Sequence, residues 1–300
     1  MKGTRFVGST LLAAGLLLFS AAQSQPSDSA ASAKLSDAEA EKFLLKAKII
    51  RTKEVSTGIT GTRRATLSDG KLTHDASIQT VNIYKTTFQT ARGTELNFRD
   101  SYKYNIAAYR LDRMLNLRMI PVSVERKVRG EKGAVTWWVD DVLMLEKERF
   151  QKKIEPPDQA AWNDQIQQAR VFNELVYNTD ANLGNLLITK DWTLVLIDFS
   201  RAFRVFKKLR APENIANTRI DRRFHDGLAR LSVETLTSKL GDVLRKPEIE
   251  GLLRRRDLIL SHFEKEIARR GEARSFAPFP ATDLALHPGL REPDADTSPS

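Results

Sequence analysis

Three oxygen-bearing side chains follow one another closely in the second half of the chain. Asp180 and Asn185 lie in the polar stretch 178–185, and Asp198 follows the apolar run 194–197. A carboxylate can orient or deprotonate an acceptor hydroxyl, and an amide oxygen with a second carboxylate can hold a hard divalent cation against phosphates. The set therefore has the residue types that metal-assisted phosphoryl transfer needs.

The elements that must position these side chains can be read from the apolar spacing. Residues 162–176 carry Trp162, Ile166, Ala169, Phe172 and Val176 at helical spacing, which predicts a helix before the polar stretch. Residues 186–188 and 194–197 flank a polar turn and predict a hairpin. A helix, a loop and a hairpin in this order bring the polar side chains to the mouth of the hairpin.

Each residue also has an ordinary structural interpretation. Asp180 and Asn182 could cap the chain after a helix, Asn185 could be a turn residue, and Asp198 could close a strand. The functional interpretation is favoured because all three occur together, in an order that one loop and one hairpin can bring to a common point.

The first half reads as strands with a single helix inserted. Strand patterns occur at 57–62, 64–67 and 76–81, with a turn at 68–70, and a further strand pair at 122–128 and 135–139 joins at 130–133. Helical periodicity over 102–117 predicts one buried stripe, with Asp112 and Arg113 outside it. A second long helix is predicted around 249–267 in the second half.

On these stretches the sequence resembles the secreted Fam20-type kinases and, more distantly, the phosphatidylinositol 3/4-kinase and HipA-like members of the protein-kinase-like superfamily. The resemblance rests on 102–124, on the Asp-x-x-x-x-Asn spacing from Asp180 to Asn185, and on 196–203 with its Asp198-Phe199 dipeptide. It implies that Asp180 is the catalytic base and that Asn185 and Asp198 are ligands of Mg²⁺ or Mn²⁺.

The resemblance also implies a nucleotide site. Gly58 and Gly61 would lie in the loop over the phosphates of ATP or another nucleoside triphosphate, and Trp138 and Val139 would lie near the adenine hinge. The glycine pair is equally explained by a hairpin turn.

The sequence departs from the family at two charged positions. The strand Lys that holds the phosphates falls at Gln79, and the helix Glu that pairs with it falls at Asn105. A Gln–Asn pair can form hydrogen bonds but offers no positive charge to phosphate. Candidate replacements are Lys71, Lys85 and Arg63. Neutral replacement of both residues indicates a changed nucleotide pose or a different donor.

The fold class that the resemblance implies is α+β: a bilobal protein-kinase-like fold with a strand-rich N-lobe containing one helix and a mainly helical C-lobe. We predict the N-lobe over 35–145 and the C-lobe over 146–277. Residues 1–24 read as a signal peptide because Lys2 and Arg5 precede an apolar run that ends in small residues. Residues 25–34 read as a disordered linker and 278–300 as a disordered tail.

Export to the periplasm or the extracellular space is therefore expected, with membrane attachment only if the N-terminal apolar segment stays uncleaved. The absence of cysteine excludes disulfides and thiolate chemistry. The net charge of +10 favours anionic partners. Its basic clusters are short and are expected to be solvated, so nucleic acid is not favoured; they are 207–210, 222–223 and 254–256.

The leading hypothesis is thus an exported phosphotransferase acting on a protein, glycan or lipid. A catalytically silent pseudokinase that binds nucleotide or a partner is the first alternative. An exported basic binding protein with no nucleotide is the second. The missing pair at Gln79 and Asn105 favours the pseudokinase, whereas the complete set of Asp180, Asn185 and Asp198 favours the enzyme.

Overall fold

The computed structural model describes residues 35–54, 62–90 and 93–277. The predicted signal peptide, linker and C-terminal tail lie outside these ranges, as do Gly58 and Gly61. In the described residues, no helix combines the length and the apolar character needed to cross a membrane.

Strands dominate the first half of the described chain. Its elements are α1 (Asp37–Lys46), β1 (Lys48–Glu54), β2 (Arg63–Ser68), β3 (Thr73–Gln79), β4 (Asn82–Thr90), β5 (Gly93–Ser101), α2 (Lys103–Met114), β6 (Ser123–Val128), β7 (Glu131–Trp137) and β8 (Val142–Leu145). Five of the strands form one antiparallel sheet in the order β1-β2-β3-β7-β6, and β4 and β5 form a separate hairpin.

Helices dominate the second half. Its elements are α3 (Glu146–Lys152), α4 (Gln159–Leu175), β9 (Leu186–Thr189), β10 (Leu194–Leu196), β11 (Ile220–Asp221), α5 (Arg222–Arg230), α6 (Val233–Leu240), α7 (Lys246–Arg270), α8 (Glu272–Ser275) and β12 (Phe276–Ala277). The predicted helices and the predicted hairpin correspond to α4, α7 and β9–β10. Strand β8 pairs with β9 and so joins the hairpin to the first half.

The five-stranded sheet has one apolar face. On β3, Ala76 and Ile78 are buried, and the buried Trp137 of β7 lies on the same face because it pairs with Ala76. Helix α1, which the sequence analysis did not predict, packs on this sheet, and Phe43 meets the Trp137 ring edge-on at a centroid distance of 5.7 Å. Its start is fixed by a capping box between Ser36 and Glu39.

Helix α2 confirms the predicted helix, but two of its residues are placed differently. Asp112 and Arg113 were expected outside the buried stripe, which is wrong, because Asp112 is fully buried and only 14% of the Arg113 side chain is exposed. Asp112 accepts a hydrogen bond from the Met119 amide at 2.9 Å and pairs with Arg113, which also pairs with Asp37 of α1 at 2.8 Å. Helix α1 and the loop after α2 cover this second side, and helical periodicity carries no sign of either.

Arg255 of α7 also departs from expectation. The cluster 254–256 was expected to be solvated, yet Arg255 is completely buried. Its Nε donates to the Leu175 carbonyl at 2.7 Å, and its Nη1 donates to the Arg204 carbonyl at 2.9 Å and to the Phe206 carbonyl. The side chain therefore ties α7 to the end of α4 and to the segment after Asp198. Burial lowers the pKa of its guanidinium to about 9.

Replacing Arg255 should destabilise the whole domain. Arg255→Met removes the donor of hydrogen bonds to three carbonyls around a fully buried side chain, so we expect a loss of about 3 kcal/mol or more in unfolding free energy. Urea unfolding measures it. Arg254→Met is the matched control, because Arg254 is the residue next to Arg255 and its side chain is exposed. It should change the unfolding free energy by no more than about 0.5 kcal/mol. Equal effects of the two substitutions would contradict the structural role of Arg255.

Candidate active site

The loop after α4 is held by its own side chains. The chain leaves the helix through Tyr177, whose φ of 49° turns the backbone. The side chain of the buried Asn178 then bonds twice: its amide nitrogen donates to the Asn173 side chain at 2.9 Å, and its oxygen accepts from the Asp180 amide at 3.0 Å. Asp180 is therefore presented from a fixed turn rather than from a free loop.

Asn185 is tied to Asp180 through the backbone. Its Nδ2 donates to the Asp180 carbonyl at 3.0 Å, and the Ile197 amide donates to the Asn185 carbonyl at 3.0 Å. In the described part of the chain, no group donates to Asn185 Oδ1. The bond made by Nδ2 fixes the amide group, and its oxygen is left as a potential ligand.

Asp198 lies directly after the hairpin in a left-handed backbone conformation, with φ of 56°. Its carboxylate accepts a hydrogen bond from the Ser200 amide at 3.4 Å. Burial raises the pKa of Asp198, and the nearby carboxylates of Asp100 and Asp180 raise it further. Asp180 and Asp198, which lie on either side of the hairpin in sequence, are therefore close enough to repel one another.

The donor set fits Mg²⁺ or Mn²⁺. No cluster of three or more histidine, aspartate or glutamate side chains that could hold a metal occurs among the described residues. Asn185 Oδ1 and Asp198 would supply one amide oxygen and one carboxylate. Mg²⁺ is usually held by one or two carboxylates together with phosphate oxygens and water, so this small set is sufficient when phosphate is present.

A chain of hydrogen bonds connects the sheet, α2 and the segment that starts at Asp198. Gln79 Nε2 donates to Thr62 Oγ1 at 3.0 Å, and Gln79 Oε1 accepts from Asn105 Nδ2 at 2.5 Å. Asn105 Oδ1 in turn accepts from the Phe199 amide at 2.7 Å. The two neutral residues are thus in direct contact, and the contact also fixes the backbone next to Asp198.

Trp138 and Val139 lie at the other end of the β3–β7 pairing. The Trp138 amide donates to the Asp75 carbonyl at 3.1 Å. Asp75 is four residues before Gln79 on β3, so the two residues are about 13 Å apart along the strand. The Arg64 guanidinium covers the Trp138 ring at 4.3 Å and pairs with Asp75 at 2.6 Å. Val139 is buried. The structure does not bring Trp138 or Val139 into contact with Gln79.

Two residues beside the site were not identified from the sequence. Asp100, at the end of β5, is buried near Asp198, and Thr179 donates through both its amide and its hydroxyl to the Arg201 carbonyl at 3.3 Å and 3.0 Å. Neither belongs to a motif with a fixed spacing. Only the position of Asp100 next to a predicted helix start could have drawn attention to it.

The combination of three features defines a class of protein. The first lobe is rich in strands, and the second lobe is mainly helical. The loop between α4 and the β9–β10 hairpin is hydrogen-bonded to the end of that hairpin. The fold is protein-kinase-like. It is similar to the fold of solved Fam20 kinases. The sequence matches no protein-family model and no curated protein.

Three solved structures illustrate the likeness. A Fam20 protein of hydra, solved with sugar, has a TM-score of 0.62 at 15% identity and covers 80% of this chain and 91% of its own. The Golgi casein kinase has a TM-score of 0.58 at 14% identity, and the match covers 80% of this chain and 77% of the casein kinase chain. The same kinase with Mn and ADP bound has a TM-score of 0.56 at 13% identity, and the match covers 80% of this chain and 78% of the kinase chain. At such low identity the likeness establishes the fold alone.

Asp198 should make the metal-free protein less stable at neutral pH. Because the folded-state pKa is raised, the folded protein keeps this proton at pH values where the unfolded chain has lost it. The unfolding free energy therefore falls as the pH rises through that interval and stays lower above it. We expect Asp198→Asn to have a higher Tm than the wild type at neutral pH in the presence of a chelator, measured by calorimetry.

The control is Asp191→Asn, since Asp191 is exposed in the β9–β10 turn and its replacement should change Tm little. At position 198, where φ is positive, asparagine is well tolerated, so Asp198→Asn adds no backbone strain. A lower Tm for Asp198→Asn at neutral pH would show that the buried carboxylate is not a source of instability.

Proposed function

We propose that this protein is an exported kinase-like phosphotransferase that binds a nucleoside triphosphate with Mg²⁺ or Mn²⁺ and phosphorylates a hydroxyl of a protein, glycan or lipid. The observation that carries the proposal is the arrangement of Asp180, Asn185 and Asp198. One hydrogen bond joins Asn185 to the Asp180 backbone and leaves its side-chain oxygen available, and the bond from the Ile197 amide to the Asn185 carbonyl ties the residue before Asp198 to the same loop.

In this proposal each residue has one task. Asp180 orients the acceptor hydroxyl and takes its proton at a carboxylate oxygen. Asn185 and Asp198 hold the metal, which neutralises charge on the transferred phosphoryl group when bound. A cation held by these residues would offset the negative charge of Asp100 and Asp180, which raises the pKa of Asp198.

The nucleotide would lie between the sheet and the loop. Gly58 and Gly61 are proposed to cover its phosphates, Gln79 and Asn105 to border them, and Trp138 and Val139 to lie near the base. The kinase-like neighbour that was solved with Mn and ADP supports a metal and a nucleotide as partners. The sugar in the hydra structure makes a glycan one reasonable acceptor class.

Export is proposed on the N-terminal sequence, with Lys2 and Arg5 before an apolar run. The Golgi location in the name of the casein kinase neighbour is in keeping with a fold used outside the cytoplasm.

A transfer assay tests the enzyme directly. The wild type with radiolabelled ATP and Mn²⁺ should release phosphate or label an acceptor, and Asp180→Asn should lower the rate by about 100-fold or more while the nucleotide still raises Tm. Asp257→Asn, an exposed substitution on α7, is the matched control and should keep full activity. Equal rates for wild type and Asp180→Asn would overturn the assignment of the base. No Tm shift with any nucleoside triphosphate would overturn the proposal as a whole.

A pseudokinase is the second candidate, and one observation favours it. Gln79 uses both ends of its amide inside the protein, on Thr62 and Asn105, so it has little left to offer a phosphate. In this case the same site would bind nucleotide, or a partner in its place, without transfer.

Restoring the charged pair distinguishes a weakened phosphate site from a rearranged one. Gln79→Lys combined with Asn105→Glu adds a cation and its partner at positions already in contact. If these residues border the phosphates, nucleotide affinity measured by calorimetry should rise by about 10-fold, as a charge-assisted bond predicts. An unchanged affinity in a variant with wild-type Tm would contradict the placement of the phosphates beside Gln79.

A further inference from the structure

The proposed site lacks the cation that normally holds the phosphates, and in the described residues none of the three replacements suggested by the sequence contacts Gln79. Arg63 of β2 pairs with Ile78 and lies on its face of the sheet, whereas Gln79 points to the opposite face. Lys71 lies at the β2–β3 turn, and Gln79 is at the far end of the seven-residue strand β3, about 20 Å from that turn. Lys85 lies over the Phe88 ring at 4.8 Å in the separate hairpin.

Two arginines follow Asp198, and one of them, Arg204, is bound inside the protein. Arg204 has a side chain only 2% exposed. It pairs with Glu95 at 2.5 Å, donates to the Arg99 carbonyl at 2.8 Å and donates to the Thr179 hydroxyl at 3.3 Å. Its role is to fasten the β4–β5 hairpin to the catalytic loop, and it is not accessible to a ligand.

Arg201 is different, because its guanidinium makes one ion pair and otherwise lies over the Phe98 ring, with its Cζ 5.4 Å from the ring centroid. Its Nε donates to Asp100 Oδ2 at 3.1 Å, and its side chain remains 27% exposed. Within the described ranges, neither of its terminal nitrogens donates a hydrogen bond. The backbone of Arg201 is fixed as well, since its carbonyl accepts two bonds from Thr179, the residue before Asp180.

Asp100 provides the positioning. Its carboxylate is only 4% exposed, its Oδ1 is buried without a hydrogen-bond partner among the described residues, and its other oxygen holds Arg201. A buried carboxylate needs a cation, so Asp100 holds Arg201 close to Asp198. The adjacent backbone is pinned by the bond from the Ser101 amide to the Ser200 carbonyl at 2.8 Å.

We propose that Arg201, held in place by Asp100, binds the phosphates of the donor nucleotide and supplies the positive charge that Gln79 lacks. The proposal rests on the proposed function. Arg201 is three residues after Asp198, and its backbone carbonyl is bonded to the residue before Asp180, so its backbone is tied to both segments that carry the proposed metal site. Its two terminal nitrogens form the planar fork that suits phosphate oxygens. Asp100 acts only through Arg201 and is a positioning residue.

The test compares phosphate-bearing and phosphate-free ligands. Calorimetry with Mn²⁺ measures the affinities of wild type, Arg201→Gln and the double variant Asp100→Asn/Arg201→Gln for ATP, inorganic tripolyphosphate and adenosine. The double variant is included because Arg201→Gln alone leaves the Asp100 carboxylate buried without its cation. Arg170→Gln, an exposed arginine on α4, is the matched control.

We expect both Arg201 variants to bind ATP and tripolyphosphate about 10-fold or more weakly than the wild type, with adenosine affinity and Arg170→Gln unchanged. Asp100→Asn alone should weaken the same two ligands to a smaller extent. Equal ATP affinity for wild type and a double variant of normal Tm would overturn the role of Arg201 and leave the proposed function standing. Tripolyphosphate binding that depends on Arg201, without any nucleotide binding, would support the anion site and overturn the proposed function.

Discussion

Asn105 is hydrogen-bonded at both ends of its amide, and the two bonds lead to different parts of the chain. Its nitrogen donates to Gln79 on the sheet, and its oxygen accepts from the Phe199 amide next to Asp198. Since the residue is buried in α2, the position of this helix sets the relation between the sheet and the segment that starts at Asp198. An amide can donate and accept at the same time, which a carboxylate at this position cannot do.

The backbone around Asp198 is held from several other directions. The Ser200 carbonyl accepts from Ser101 at the end of β5, the Arg201 carbonyl accepts from Thr179, and the Arg204 carbonyl accepts from the buried Arg255 of α7. Asp198 itself adopts a positive φ and a partly buried position that raises the pKa of its carboxyl group. Conformational strain and carboxylate repulsion concentrated at one point, and stabilised by the surrounding structure, are typical of a functional site.

Local patterns predicted the elements that carry the site and the order in which they occur. The stripe of 104–115 gave α2, the apolar runs beside the Lys190-Asp191 turn gave β9 and β10, and the resemblance paired Gln79 with Asn105, which the structure places in contact. The specific distances depend on tertiary contacts. The burial of Asp112 and Arg255 could not be predicted, because it depends on distant segments that pack around them: Asp37 of α1 beside the Asp112–Arg113 pair, and the Leu175 and Arg204 carbonyls around Arg255.

The unpredicted elements have a common cause. Strand β4 is exposed along most of its length, so its residues show no buried face that an alternating pattern could reveal, and α1 is short and buries few side chains. Asp100 and Thr179 matter through one or two contacts each rather than through a motif. The pairing of Asp100 with Arg201 could not be predicted either, because it depends on β5 lying beside the segment after Asp198 in the fold.

The central claim is that Asn185 and Asp198 hold one divalent cation against a nucleotide. A crystal structure of the protein with Mg²⁺ and a non-hydrolysable ATP analogue tests it most directly. The account predicts an ion about 2.1 Å from Asn185 Oδ1 and from a carboxylate oxygen of Asp198, bridged to phosphate oxygens of the analogue. An ion that contacts neither residue, or a nucleotide bound away from Asp180, would contradict it.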